Sequence, residues 1–140
     1  MPVMDEAALQ AFLAREFPQI EGLKLTIEAV GDNYARVRMP VDGSQLRPGG
    51  TVSGPTMFAL ADVSVYIAIL AMIGPVALAV TTNLAINFLR KPGLSDMLAE
   101  VRLLKLGRRL AVGEVHLFSD GEAAPVAQVT ATYSIPPRNE

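Results

Sequence analysis

Residues 52–66, Val-Ser-Gly-Pro-Thr-Met-Phe-Ala-Leu-Ala-Asp-Val-Ser-Val-Tyr, open a helix on whose reading the fold depends. Between Met57 and Ile73 its only ionisable side chains are Asp62 and the weakly acidic Tyr66. Ser53 suits an N-cap, Gly54 and Pro55 suit the first turn, and Gly74-Pro75 forms a stop. A helix apolar on every face belongs inside the molecule, where a carboxylate is costly unless paired or used. Asp62 follows Gly54 by two turns, or ~12 Å along the axis. Backbone N–H groups at the helix start therefore lie near the acid but not on top of it. That layout suits a carbonyl held at the N-terminus while a carboxylate acts on it or on a water. Plainer local readings compete: Ser53 as a cap only, Gly54 as a sharp turn, Asp62 as a structural acid bonded to backbone.

The flanking sequence supplies what such a helix packs against. Residues 5–17 read as a short amphipathic helix with Ala8, Leu9, Phe12 and Leu13 on one face. Leu25, Ile27 and Ala29 alternate with polar residues, Gly31-Asp32-Asn33 reads as a turn, and Ala35, Val37 and Met39 alternate again. Residues 40–52 read as a Pro/Gly-rich loop. Strands are expected at 76–90, ended by Lys91-Pro92-Gly93, and at 97–106, 109–119 and 125–135. In the last of these Ala127, Val129, Ala131, Tyr133 and Ile135 share a face. The order predicts an α+β protein in which one antiparallel sheet buries a face against the apolar helix.

Composition narrows the function. The 140 residues fit one domain, 1–140, without repeats or linkers. A hydrophobic fraction of 51% with a mean hydropathy of +0.34 predicts large subunit interfaces: a homodimer, paired further into a dimer of dimers or homotetramer. A net charge of −2 gives no basic field for nucleic acid. The absence of cysteine removes disulfides and thiolate chemistry, and a lone His116 removes a multi-histidine metal site within one chain. Residues 57–73 approach the length of a membrane span, but Asp62 and the amphipathic strands downstream argue against one. The first residues lack a basic start and apolar run, so a cytoplasmic location is expected.

Three segments carry a resemblance to a known family: Gly50-Thr-Val-Ser-Gly-Pro-Thr-Met-Phe-Ala-Leu-Ala-Asp62, Val80-Thr-Thr-Asn-Leu-Ala-Ile-Asn-Phe-Leu-Arg-Lys-Pro92 and Ala127-Gln-Val-Thr-Ala-Thr-Tyr133. Together they resemble hotdog-fold acyl-CoA thioesterases of the phenylacetate-degradation (PaaI-like) type. The resemblance implies a hotdog fold, a long curved antiparallel sheet wrapped around a central hydrophobic helix. It also implies that Gly54 keeps the place of the glycine whose N–H polarises the thioester carbonyl, and Asp62 that of the catalytic acid. The chain departs where the family usually has His-Gly-Gly, because here Ser53-Gly54-Pro55 stands and Pro55 has no N–H to offer. Arg47 stands where related members often carry a polar amide. The implied reaction is hydrolysis of an acyl-CoA thioester, with coenzyme A as part of the substrate and no separate cofactor.

Further residues are candidates on chemical grounds. Thr81 and Thr82 suit placing a water, and Thr81, Asn83 and Asn87 are expected on one strand face with Leu84, Ile86 and Phe88 on the other. Arg90, Lys91, Lys105, Arg108 and Arg109 supply cations of the kind that coenzyme A phosphates require, although strand-end charges also serve solubility. Arg47 suits either the substrate or pairing with Asp62 across a dimer. His116 alternates with Glu114 on the exposed-type face of its strand. Two other functions remain open: a hotdog module that binds acyl-CoA without cleaving it, and a hotdog dehydratase or hydratase, whose chemistry expects an Asp/His pair.

Overall fold

The computed structural model describes residues 1–42, 46–47 and 50–137, with Leu46 and Arg47 described only as backbone. Helix α1 (Glu6–Glu16) is capped by Asp5, whose carboxylate accepts the Ala8 N–H at 2.8 Å. It buries Leu9, Phe12 and Leu13, while Ala8 stays exposed. A 3-10 segment (Pro18–Leu23) leads into β1 (Thr26–Gly31) and β2 (Tyr34–Met39). Their turn places Asn33 at φ 53°, a left-handed conformation that asparagine tolerates.

Helix α2 runs Gly54–Ile73 and is followed by β5 (Val80–Phe88), β6 (Met97–Leu106), β7 (Leu110–Ser119) and β8 (Ala127–Ser134). The six-stranded antiparallel sheet has the order β1-β2-β6-β7-β8-β5, leaving β5 as an edge. The α2 helix crosses the inner face of this sheet, chiefly over β6, β2 and β7. Strand alternation explains the fit. Ala35, Val37, Val101, Ala111, Val115, Val129 and Ala131 all point inward and are fully buried. Helix and sheet approach closely at Gly113, where an added Cβ would lie 3.1 Å from a Val65 methyl carbon. Although α2 is long and apolar enough to cross a membrane, 67% of its most apolar window is buried, which makes it the core helix.

The structure amends three expectations. The segment read as a loop over 40–52 contains a small antiparallel pair, β3 (Leu46–Arg47) and β4 (Thr51–Val52). The strand expected at 76–90 is shorter at both ends. Ala77 and Leu78 turn before it, and after Phe88 the Leu89 and Arg90 N–H groups both reach the Val126 carbonyl, at 2.8 and 3.3 Å. Most consequentially, β5 is bulged: Thr81 pairs with Tyr133 but Asn83 pairs with Thr132. Residues opposite one another in an antiparallel pair share a face. The extra residue therefore turns Thr81 inward with Leu84, Ile86 and Phe88, while Asn83 and Asn87 point outward.

Candidate active site

Two clefts lie along α2. The first, of about 430 Å³, holds Asp62, Thr81 and Tyr133, with Tyr66, Phe17 and Glu16 around them. Asp62 is half-buried, and its Oδ1 accepts two hydrogen bonds, from Thr81 Oγ1 at 2.6 Å and from the Tyr133 hydroxyl at 2.8 Å. Among the described residues nothing bonds Oδ2. The Tyr133 hydroxyl also lies 2.8 Å from the Asp62 backbone oxygen. Burial pushes the Tyr133 phenol well above the ordinary tyrosine range, the negative charge of Asp62 adds to this, and the neighbouring Thr81 hydroxyl works against it. The phenol therefore stays protonated and remains a donor. Tyr66 stacks on Tyr133 with centroids 6.2 Å apart and donates to the Ala77 carbonyl at 3.0 Å. Burial, and then the charge of Glu16, raises its phenol as well.

The second cleft, of about 420 Å³, opens at the start of α2 between Gly54, Met57, Thr51, Phe88, Arg90 and Lys91. Its donors can be counted. Pro55 has no N–H, Ser53 Oγ accepts the Thr56 N–H at 3.2 Å, and the Ser53 carbonyl accepts the Met57 N–H at 3.1 Å. The Gly54 N–H is left as the one unclaimed donor of the first turn among the described residues. Glycine matters here for access as well as for the turn, since a Cβ on Gly54 would sit 3.2 Å from the Phe88 ring. The Ser53 hydroxyl also donates to Thr56 Oγ1 at 2.8 Å, so capping occupies both of its functions.

The remaining candidates divide by position. Arg90 and Lys91 flank the Gly54 cleft, with the Arg90 guanidinium bonded to the Pro125 carbonyl. Arg108 is exposed in the β6–β7 turn; Leu110 and Val80 both pair with Ser134, placing that turn at the sheet end opposite Arg90. Thr82 bonds the Thr132 carbonyl at 3.2 Å and is exposed, and Asn83 is also exposed; neither lines either of these two clefts. The side chain of Arg47 lies outside the described residues. His116 packs near Phe118 on the outer sheet face, beside Glu100 and Glu114, so this chain forms no Asp62–His116 pair. The sequence does not single out Tyr133 as functional: its place in an alternating strand signals burial, and nothing local reveals an acid opposite.

A core helix wrapped by an antiparallel sheet, carrying an acid two turns beyond a free N–H, defines a hotdog-fold protein. The thioesterase superfamily profile matches residues 49–126, and the chain belongs to that family. It is similar to a provisionally assigned thioesterase from Silicibacter sp. TM1040, with 55% identity over 98% of this chain and 95% of the other, at a TM-score of 0.90. An N33D variant of the phenylacetic acid degradation protein PaaI from Thermus thermophilus shares 28% identity over 85% of this chain and 99% of its own, at a TM-score of 0.74. A thioesterase from Haemophilus influenzae has a TM-score of 0.83 over 99% of this chain and 94% of its own, with 21% identity, a likeness of fold. No curated protein sequence matches the chain.

Proposed function

We propose that this protein hydrolyses the thioester of an acyl- or aryl-acyl-coenzyme A. The observation that carries the reading is Asp62: a half-buried carboxylate in a cleft, one oxygen held by two hydroxyls and the other unclaimed among the described residues. The substrate carbonyl accepts from the Gly54 N–H, aided by the positive end of the helix dipole. Asp62 takes a proton from water as the water oxygen attacks the carbonyl carbon, or else attacks that carbon itself to give an acyl intermediate that water then cleaves. The C–S bond breaks with its electron pair on sulfur, and a proton restores the thiol. Water and thioester thus yield acid and coenzyme A. Arg90 and Lys91 suit the phosphates of the coenzyme.

Within one chain the layout read from the sequence does not suffice, because the donor and the acid stand ~12 Å apart along α2, too far to serve one carbonyl. The reading therefore needs two copies, with Gly54 of one facing Asp62 of the other. An open edge at β5, whose Val80 and Phe88 are 52% and 55% exposed, supports a homodimer, paired further into a dimer of dimers.

The test is thiol release from short, medium, long and aryl acyl-CoAs. Turnover of at least one is expected, and Asp62→Asn should lower kcat by about a hundredfold or more in a folded protein. Near-wild-type turnover by Asp62→Asn would make the acid structural. Tight binding of the whole panel without turnover would instead identify a binding module, a reading favoured only by Ser53 standing without the family's histidine.

A further inference from the structure

Tyr133 lies on β8 and Asp62 midway along α2, 71 residues apart in sequence, yet phenol and carboxylate meet at 2.8 Å. Thr81, from β5, meets the same oxygen at 2.6 Å. Three separate elements thus converge on Oδ1. We infer that Tyr133 is a positioning residue for Asp62: with Thr81 it pins Oδ1, fixes the rotation of the carboxylate and leaves Oδ2 as the oxygen that acts. This inference rests on the proposed hydrolysis and adds a residue to it.

The geometry explains why a phenol serves. A free carboxylate on a helix turns about its last torsion with little resistance, so either oxygen can face the cleft. Two donors on one oxygen remove that freedom, and hydrogen bonds to an ionised acceptor are the stronger kind. The phenol has two oxygens of Asp62 in reach at equal distance; the charged one is the better acceptor. The ring itself is fixed. Tyr133 is 3% exposed and stacked on Tyr66, which in turn meets Phe17 edge-on with centroids 6.0 Å apart. A donor anchored in that aromatic column cannot follow a wandering carboxylate, so the carboxylate conforms to it. The bulge in β5 has the same consequence, because without it the Thr81 hydroxyl would point away from the cleft.

The experiment compares Tyr133→Phe, Thr81→Val, Asp62→Asn and the double variant Tyr133→Phe/Asp62→Asn on one hydrolysed acyl-CoA. Tyr133→Phe keeps the ring in its stack and removes only the hydroxyl. Its kcat should fall about tenfold, as expected for a hydrogen bond to a charged group, with KM within about twofold of wild type. Thr81→Val, which removes the other donor to the same oxygen, should behave alike and gives a second reading if the phenylalanine variant folds poorly. In the Asp62→Asn background, Tyr133→Phe should cause no further loss, because its effect runs through the carboxylate. Unchanged kcat in a folded Tyr133→Phe, or an equal loss added on top of Asp62→Asn, would overturn the inference, as would unchanged kcat in Thr81→Val where Tyr133→Phe does not fold. Failure of the hydrolysis reading looks different: Asp62→Asn itself would then retain activity.

Discussion

Ser53 stands where the resemblance to PaaI-like thioesterases implies a histidine, and the structure gives it a full structural task. Its oxygen accepts the Thr56 N–H at 3.2 Å while its hydrogen goes to Thr56 Oγ1 at 2.8 Å. Ser53→Ala removes both bonds and leaves a helix N–H without a partner. Loss of such a cap costs about 1 kcal/mol, which for a domain of this size lowers Tm by about 3 °C at fixed protein concentration. Ser53→Gly, which opens the cap to water, should lose only a few tenths of that amount. Since the hydroxyl is committed to Thr56, kcat should change only a few-fold in either variant. Calorimetry and thiol release on the same preparations check the pair of values. A fall in kcat of more than about tenfold with Tm unmoved would show that Ser53 holds substrate or water instead. Ser53→His is the converse test. Pro55 still withholds the next N–H, so no large gain is expected. A rise in kcat/KM of about tenfold would refute the reasoning.

Light scattering at micromolar concentration should show a dimer or a larger even assembly; a stable monomer would contradict a site shared between copies. Gly113→Ala should destabilise the protein by about 1–3 kcal/mol, despite alanine's lower backbone entropy, because its Cβ would meet Val65 at 3.1 Å and Leu103 at 3.3 Å; unchanged urea melts would show that α2 gives way. Arg38 donates to Glu28 at 2.5 Å, Asp120 at 2.9 Å and Asp96 at 3.1 Å, and these bonds hold Glu28 and Asp120 below the usual carboxylate range. Carboxylates with lowered folded values add stability that is fully present above the unfolded value and lost as pH falls through the folded one. Arg38→Met should therefore reduce the difference in stability between neutrality and about pH 3, measured by urea melts, and an unaltered pH dependence would refute this role.

Much of the architecture could be read along the chain because it rests on short-range rules. Apolar residues on every face identified α2 as the core, and its ends fell where Ser53 and Gly74 placed them. Alternation placed Ala35, Val37 and Met39 on one face of β2 and Val129, Ala131 and Tyr133 on one face of β8, all of them buried, since successive side chains of a strand point to opposite sides. The same rule misassigned Thr81, because one inserted residue in β5 reverses the alternation and no residue type announces the insertion. The catalytic candidates Gly54 and Asp62 were visible as a glycine and an acid at fixed helical spacing. Their separation of ~12 Å acquires meaning only when the clefts on either side are seen.

Local sequence settles which residues become helix, strand and cap, since backbone sterics and side-chain period act within a few positions. Tertiary folding alone decides what lies opposite Asp62. Tyr133 reads as one more buried aromatic until β8 passes beneath the middle of α2, because packing, unlike periodicity, joins residues without regard to their distance along the chain.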